Sequence, residues 1–195
     1  MVKFALVLVF PFLLSCSSQI KASHLIPDRN YIQMVKKYSV KDELYSGFTN
    51  VFYYNATLKT EDVQRAQINY NSRAYQWEES EKRKALRELA ESVSNYTEVF
   101  VSFYTPDVRN NDLNESGSIW RIFLEVGGKK YLGGVTKISL PPARLRPLYP
   151  EHTAWGVPYL VKFPISALDI RDLETKITFT GNLGFSSKVF PKASQ

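Results

Sequence analysis

Residues 120–135 have the sequence WRIFLEVGGKKYLGGV, which combines a strand pattern with a turn signal. Apolar residues occupy every second position from Trp120 to Val126, and a period of two is typical of a strand with one buried face. Gly127 and Gly128 follow directly, and glycine adopts the positive φ angles that a tight hairpin turn requires. The segment therefore predicts an antiparallel hairpin.

The same period of two recurs in several other segments. It predicts further strands over residues 48–58, 99–104, 159–163, 176–180 and 184–190. Aromatic residues make up 14% of the chain, and they favour sheets over a plain helix bundle. The chain as a whole thus indicates roughly six to eight short strands.

One long segment between the strands has a helical pattern instead. Residues 61–94 lack glycine and proline, and their apolar residues follow a helical spacing. Thr60 precedes them as a helix N-cap, with Glu61 and Asp62 in the first turn, where the helix dipole favours negative charge. The pattern fits one long helix, or two helices with a break near Ser80.

Together, these elements predict an α+β fold. We expect an antiparallel β-sheet or β-sandwich with a long helical insertion after the first strand. A short amphipathic helix over residues 31–38 precedes that strand. Residues 141–158 contain five prolines, which predict a long loop.

The composition agrees with a single folded domain. The chain has 195 residues, of which 44% are hydrophobic and 23% charged, and this composition excludes an intrinsically disordered protein. Its net charge is +6, from 25 lysines and arginines against 19 acidic residues. The single cysteine excludes an internal disulfide and a cysteine-based zinc cluster.

The first residues are typical of a secretory signal peptide. Lys3 is followed by FALVLVFPFLL, residues 4–14, an uncharged apolar run. A membrane-spanning helix needs about twenty apolar residues, whereas the apolar region of a signal peptide is about half as long. The segment therefore predicts export rather than a membrane span.

The residues that follow resemble the lipobox of bacterial lipoproteins. The sequence LLSC ends at Cys16, with a leucine three residues before the cysteine and a serine directly before it. The resemblance implies cleavage after residue 15, acyl chains on Cys16 and a lipid anchor in the cell envelope. Ser17, in place of aspartate, resembles the pattern of outer-membrane lipoproteins, and retention in the inner membrane stays open.

This layout divides the chain into three parts. We expect a cleaved lipoprotein signal peptide over residues 1–15, a lipidated tether over residues 16–30 and a single globular α+β domain over residues 31–195.

The chain has little of the chemistry that an enzyme needs. The two histidines are His24, in the tether, and His152, in the proline-rich segment, so one histidine can act as a general base for a serine. No nucleophile-elbow, zinc-protease or phosphate-loop motif occurs. We therefore expect no catalytic residues, no metal and no cofactor.

One cluster of oxygen ligands leaves two interpretations open. Residues 107–115, DVRNNDLNE, include Asp107, Asn111 and Asp112, whose oxygen atoms are ligands that Ca²⁺ prefers. The spacing does not match a helix–loop–helix calcium site, and a polar turn between strands explains the same residues.

A set of basic and aromatic residues predicts a surface for an anionic ligand or a partner. Its members are Lys129, Lys130, Lys137, Arg144, Arg146, Tyr149 and Trp155. On an envelope protein they would meet anionic lipid head groups, acidic glycans or an envelope protein, and nucleic acid is not expected in that compartment. The alternative is mixed surface charge that maintains solubility.

The leading hypothesis is therefore a non-enzymatic lipoprotein with a partner-binding or envelope-assembly role. A small-molecule or lipid-binding module with a cavity between helix and sheet is the alternative, and an envelope hydrolase is the third. A closed apolar cavity would favour the second hypothesis, and a pocket with His152 beside a carboxylate would favour the third.

Overall fold

The computed structural model describes residues 29–192, which contain nine strands and four α-helices. The strands are β1 (Ser39–Ser46), β2 (Thr49–Leu58), β3 (Thr97–Tyr104), β4 (Trp120–Val126), β5 (Lys129–Leu132), β6 (Gly134–Lys137), β7 (Val157–Phe163), β8 (Thr175–Gly181) and β9 (Gly184–Val189). The helices are α1 (Arg29–Lys37), α2 (Glu61–Ala74), α3 (Glu79–Asn95) and α4 (Pro142–Leu148).

The strands form two antiparallel sheets, which confirms the predicted α+β class. One sheet has the order β1-β2-β3-β7-β6 and the other the order β5-β4-β8-β9. The predicted hairpin joins β4 to β5, and its turn residues Gly127 and Gly128 have φ angles of 56° and 77°. Positive φ at both central residues is what a two-residue hairpin turn of type I′ requires.

The strand that leaves this hairpin crosses from one sheet to the other. β5 pairs with β4, whereas β6 pairs with β7 in the five-stranded sheet. The crossing occurs at Gly133, where an added Cβ would overlap the Val161 side chain and lie 2.9 Å from Phe163 Cε1. A residue without a side chain lets the two sheets approach at this corner.

The two sheets share one apolar core rich in aromatic rings. Tyr54 stacks on Phe179 of the opposite sheet at 4.1 Å between ring centroids, and Phe52 meets Trp120 edge-on at 5.2 Å. Aromatic pairs of these geometries contribute about 0.5–1.5 kcal/mol each beyond the area that they bury. The strands predicted from alternation thus turn their apolar faces towards each other.

The helical insertion follows the strand predicted over residues 48–58, and it consists of two helices. α2 begins after Thr60, whose side chain accepts a hydrogen bond from the Val63 amide at 3.3 Å. The break covers residues 75–78, just before the expected position, and Gln76 there has a positive φ of 50°. α3 then begins with a capping box between Glu78 and Glu81.

The proline-rich segment differs from the prediction, because it contains α4. Pro141 is the N-cap of this helix and Pro142 its first residue, a position where the missing amide and the fixed φ of proline do no harm. α4 lies beside α1 and α2 on the outer face of the five-stranded sheet. There the hydroxyl of Tyr31, in α1, donates a hydrogen bond to the Leu148 carbonyl at 2.5 Å. Residues 149–156 continue over the same face.

The signal peptide, the lipobox at Cys16 and His24 lie outside the described residues. Within residues 29–192, none of the helices is long and apolar enough to cross a membrane.

Candidate ligand-binding groove

The half of the outer face that the helices leave open carries a row of three side chains. Glu43 on β1 is paired with Tyr53 on β2, and Tyr53 is paired in turn with Tyr104 on β3. Directly paired residues of antiparallel strands point to the same face of the sheet. The three side chains therefore stand beside each other on the outer face.

This row is the floor of an open groove of about 480 Å³, which we call the aromatic groove. Its lining consists of Glu43, Tyr45, Asn50, Tyr53, Tyr104, Thr153 and Trp155. Trp155 is 82% exposed and Tyr45 52%, so large aromatic surfaces are left uncovered. Clustered aromatic surface of this kind marks binding sites more often than scattered apolar residues do.

The loop that carries Trp155 is fastened to the sheet by a buried serine. Ser102 on β3 is fully buried, and its Oγ lies 3.0 Å from His152 Nδ1. The same oxygen accepts a hydrogen bond from the Thr153 amide at 3.2 Å. In addition, the Asn55 side-chain amide donates to the Glu151 carbonyl at 2.7 Å. These contacts hold residues 151–153 against the sheet.

Two further features fix the ends of this loop. Before it, Tyr149 stacks on Phe100 with ring centroids 4.1 Å apart and planes at 12°. After it, Gly156 lies so close to β3 that an added Cβ would overlap Ser102 Oγ and lie 2.8 Å from Thr153 Oγ1. A side chain at this position would therefore force Ser102 or Thr153 to move, and Trp155 is carried by a loop that is closely packed against β3.

The electrostatics of the groove are negative. The Tyr53 hydroxyl donates to Asn55 Oδ1 at 2.6 Å. Burial raises the pKa of Tyr53, and the carboxylates of Glu151 and Glu43 raise it further because they disfavour a second negative charge nearby. In the described part of the chain, no lysine or arginine lines the groove.

The basic residues predicted as a binding surface are exposed but are spread over three elements. Lys129 and Lys130 begin β5 in the four-stranded sheet, and Lys130 Nζ lies 3.9 Å from Glu125 Oε2. Lys137 ends β6 in the five-stranded sheet, and Arg144 and Arg146 lie in α4. The structure does not gather them around the aromatic groove.

The two predicted aromatic residues have different surroundings. Tyr149 is half-buried against Phe100, so it is not the exposed ring that the sequence suggested. Trp155 is exposed, but it lines the groove with tyrosines rather than with Arg144 and Arg146. Of the predicted set, Trp155 alone belongs to the groove.

Among residues 29–192, the groups that act on His152 are Ser102 and Arg146 rather than a carboxylate. Burial lowers the pKa of His152, and the positive charge of Arg146 lowers it further. Within the described residues, its side chain forms a hydrogen bond with Ser102, whose hydroxyl is fully buried beneath the loop. A nucleophile in that position has no access to a substrate, so the pair serves to hold the loop.

The oxygen ligands considered for calcium are used within their own loop. Asp107 pairs with Arg109 at 2.7 Å, and the Asn111 side-chain oxygen accepts a hydrogen bond from the Thr105 amide at 2.9 Å. Nowhere in residues 29–192 are three His, Cys, Asp or Glu side chains grouped as a metal site. The polar-turn interpretation accounts for these contacts.

A second cavity, of about 390 Å³, lies near the opposite ends of β2 and β3. Apolar Ile170 and Phe190 line it together with charged residues, among them Lys59, Asp62 and Arg171. It is therefore not the closed apolar cavity that a lipid-binding module would need.

The chain matches no family model, and no curated protein or solved structure is detectably similar to it. Sequence reasoning missed Glu43, Tyr45, Tyr53 and Tyr104 as parts of a site. One signal was present: Tyr53 puts a large ring on the face of β2 opposite to the core face of Phe52 and Tyr54.

Proposed function

We propose that the protein is a bacterial cell-envelope lipoprotein that binds a ligand or partner non-enzymatically through the aromatic groove. The anchor in this proposal consists of acyl chains on Cys16, inserted in the outer membrane or in the inner membrane. It is supported by the resemblance of residues 1–19 to lipoprotein signals.

One observation carries the binding role. Trp155 is 82% exposed although the loop around it is fastened by Ser102, Asn55 and Phe100. An exposed tryptophan in a rigid frame loses little conformational freedom when a ligand covers it, and tryptophan is enriched among residues that dominate binding.

The same geometry favours binding over hydrolysis. Ser102, the serine that contacts His152, is sealed under the loop, and among residues 29–192 Glu43 is the one acidic side chain that lines the groove. An open groove also suits the exposed part of a larger ligand or partner better than a fully enclosed small molecule.

The anchor and the groove are tested separately. For the anchor, mass spectrometry of the mature protein from bacterial membranes should show acylated Cys16, and Cys16→Ala should remove the modification. A mature chain that begins elsewhere and carries no lipid would contradict the anchor.

For the groove, intact cells that carry wild type, Trp155→Ala or Phe48→Ala are treated with a cleavable cross-linker. Phe48 is a matched control because it is fully exposed but does not line the groove. We expect Trp155→Ala to lose the cross-linked products and Phe48→Ala to keep them. Identical products in all three strains would refute a role for the groove.

A further inference from the structure

We propose that the aromatic groove binds an organic ammonium group, quaternary or primary, whose positive charge is held among aromatic rings and beside a carboxylate. The residues assigned to this site are Trp155, Tyr45, Tyr53, Tyr104 and Glu43. The inference rests on the proposed binding role of the groove, and it names the chemistry of the ligand.

The first argument is the number of aromatic rings that line one groove. The face of an aromatic ring carries partial negative charge, so rings around a cavity attract a cation, and tryptophan does so best. Tyr53 and Tyr104 form the floor from adjacent strands, while Tyr45 and Trp155 line the hairpin side and the loop side. An ammonium group bearing methyl or methylene groups fits this lining, since it combines charge with apolar surface.

The second argument is charge complementarity. Glu43 is the sole carboxylate in the lining, and Tyr45 donates a hydrogen bond to its Oε2 at 3.4 Å. Glu151 adds a second carboxylate close enough to act on the Tyr53 hydroxyl. A cation is stabilised in such a site, and an anion is repelled.

Lys41 is the nearest basic residue along the same face of β1. It is paired with Asn55, two residues further from the hairpin than the pair of Glu43 and Tyr53. Lys41 and Glu43 are both exposed, but only Glu43 lines the groove, so the carboxylate lies closer to a bound ligand than the ammonium group of Lys41 does.

A neutral sugar is the strongest competing ligand. Sugars also stack on aromatic rings, and Asn50 and Thr153 supply polar atoms at the rim. The hydroxyl groups of a sugar can donate hydrogen bonds to a carboxylate, but only an ammonium ion also gains the attraction between opposite charges from both carboxylates. We therefore favour the cation and make the sugar an outcome of the experiment.

The experiment uses the full lipidated protein in an uncharged polyoxyethylene detergent, which carries no sugar. Tryptophan fluorescence and calorimetry follow titration with choline and with 3,3-dimethylbutan-1-ol, a neutral molecule of nearly the same shape. We expect saturable binding of choline and at least tenfold weaker binding of the alcohol. n-Butylamine tests whether a primary ammonium group binds. Phosphatidylcholine nanodiscs test whether the ammonium group that binds can be that of a lipid head group.

Variants assign the binding to the groove. Trp155→Ala and Glu43→Gln should each weaken choline binding about fivefold, which is about 1 kcal/mol at about 1.4 kcal/mol per tenfold change. Phe48→Ala should bind as wild type does.

The ligand class and the groove itself can fail independently. Equal binding of choline and the neutral alcohol, saturation by chitotetraose but not by choline, or no binding of any ammonium compound would overturn the ammonium assignment. The cross-linking result with Trp155→Ala would still stand in each case, and only its failure would refute the groove as a binding surface.

Discussion

Replacing Gly156 with alanine tests whether the loop that presents Trp155 is held by close packing. Gly156 does not have a positive φ, so alanine is disfavoured there by contact and not by backbone conformation. Its Cβ would overlap Ser102 Oγ and lie 2.8 Å from Thr153 Oγ1. Ser102 can turn away only by giving up its hydrogen bonds to His152 and Thr153.

The expected cost follows from these contacts. Each hydrogen bond contributes about 0.5–1.5 kcal/mol, so the loss of two or three lowers the free energy of unfolding by about 2–3 kcal/mol. For a domain of this size, that is a fall in Tm of about 4–12 °C. Urea denaturation and calorimetry measure both quantities.

Gly117→Ala is the matched control for this substitution. Gly117 has no atom within 4 Å of its Cβ position and no positive φ, so alanine should leave the stability unchanged or raise it by about 0.4–1 kcal/mol. If Gly156→Ala proves as stable as Gly117→Ala, the loop is not held by the packing described here.

Two other substitutions test interactions elsewhere in the fold. Glu98→Gln leaves Lys59, its buried partner at 2.8 Å, without a full counter-charge, and should lower the free energy of unfolding by about 3 kcal/mol in urea denaturation; a loss below 0.5 kcal/mol would contradict the pairing. Asp42 is partly buried, which alone would raise its pKa, but hydrogen bonds from Ser186 and Lys188 lower it overall. A lowered carboxyl pKa stabilises the fold above the pKa of the unfolded state, and this contribution is lost as the pH falls through the folded-state pKa. Asp42→Asn should therefore show a smaller loss of stability than wild type between about pH 5 and pH 2, and parallel pH profiles would count against the contacts.

Local patterns predicted most of the sheet because they depend on neighbouring residues. Gly127 and Gly128 provide the turn wherever the strands lie, and alternation marks the core face of β2 and β4. β1 was missed because it is an edge strand without a fully buried residue, so its sequence SVKDELYS lacks a clear apolar face. α4 was missed because its prolines were counted as helix breakers, although Pro142 occupies the first helical position.

The aromatic groove could not be predicted from local sequence patterns, for a different reason. Trp155 and Tyr45 are far apart in the sequence, and they line one site because of the register between β1, β2 and β3 and the attachment of the loop to Ser102. Neither the register of the strands nor the attachment of the loop can be recognised from a local pattern in the sequence. The anionic-ligand prediction grouped Trp155 with arginines that precede it in sequence, whereas the fold places it among tyrosines and Glu43.

The central claim is that the aromatic groove is where this protein binds an organic ammonium ligand. Backbone amide chemical shifts, measured by NMR during a titration with choline, test it most directly. We predict that the largest shifts fall in residues 43–53, at Tyr104 and in residues 151–156, and that Trp155→Ala raises the choline concentration at half-maximal shift about fivefold. Shifts confined to the cavity around Ile170 and Phe190, or no shifts at saturating choline, would contradict the claim.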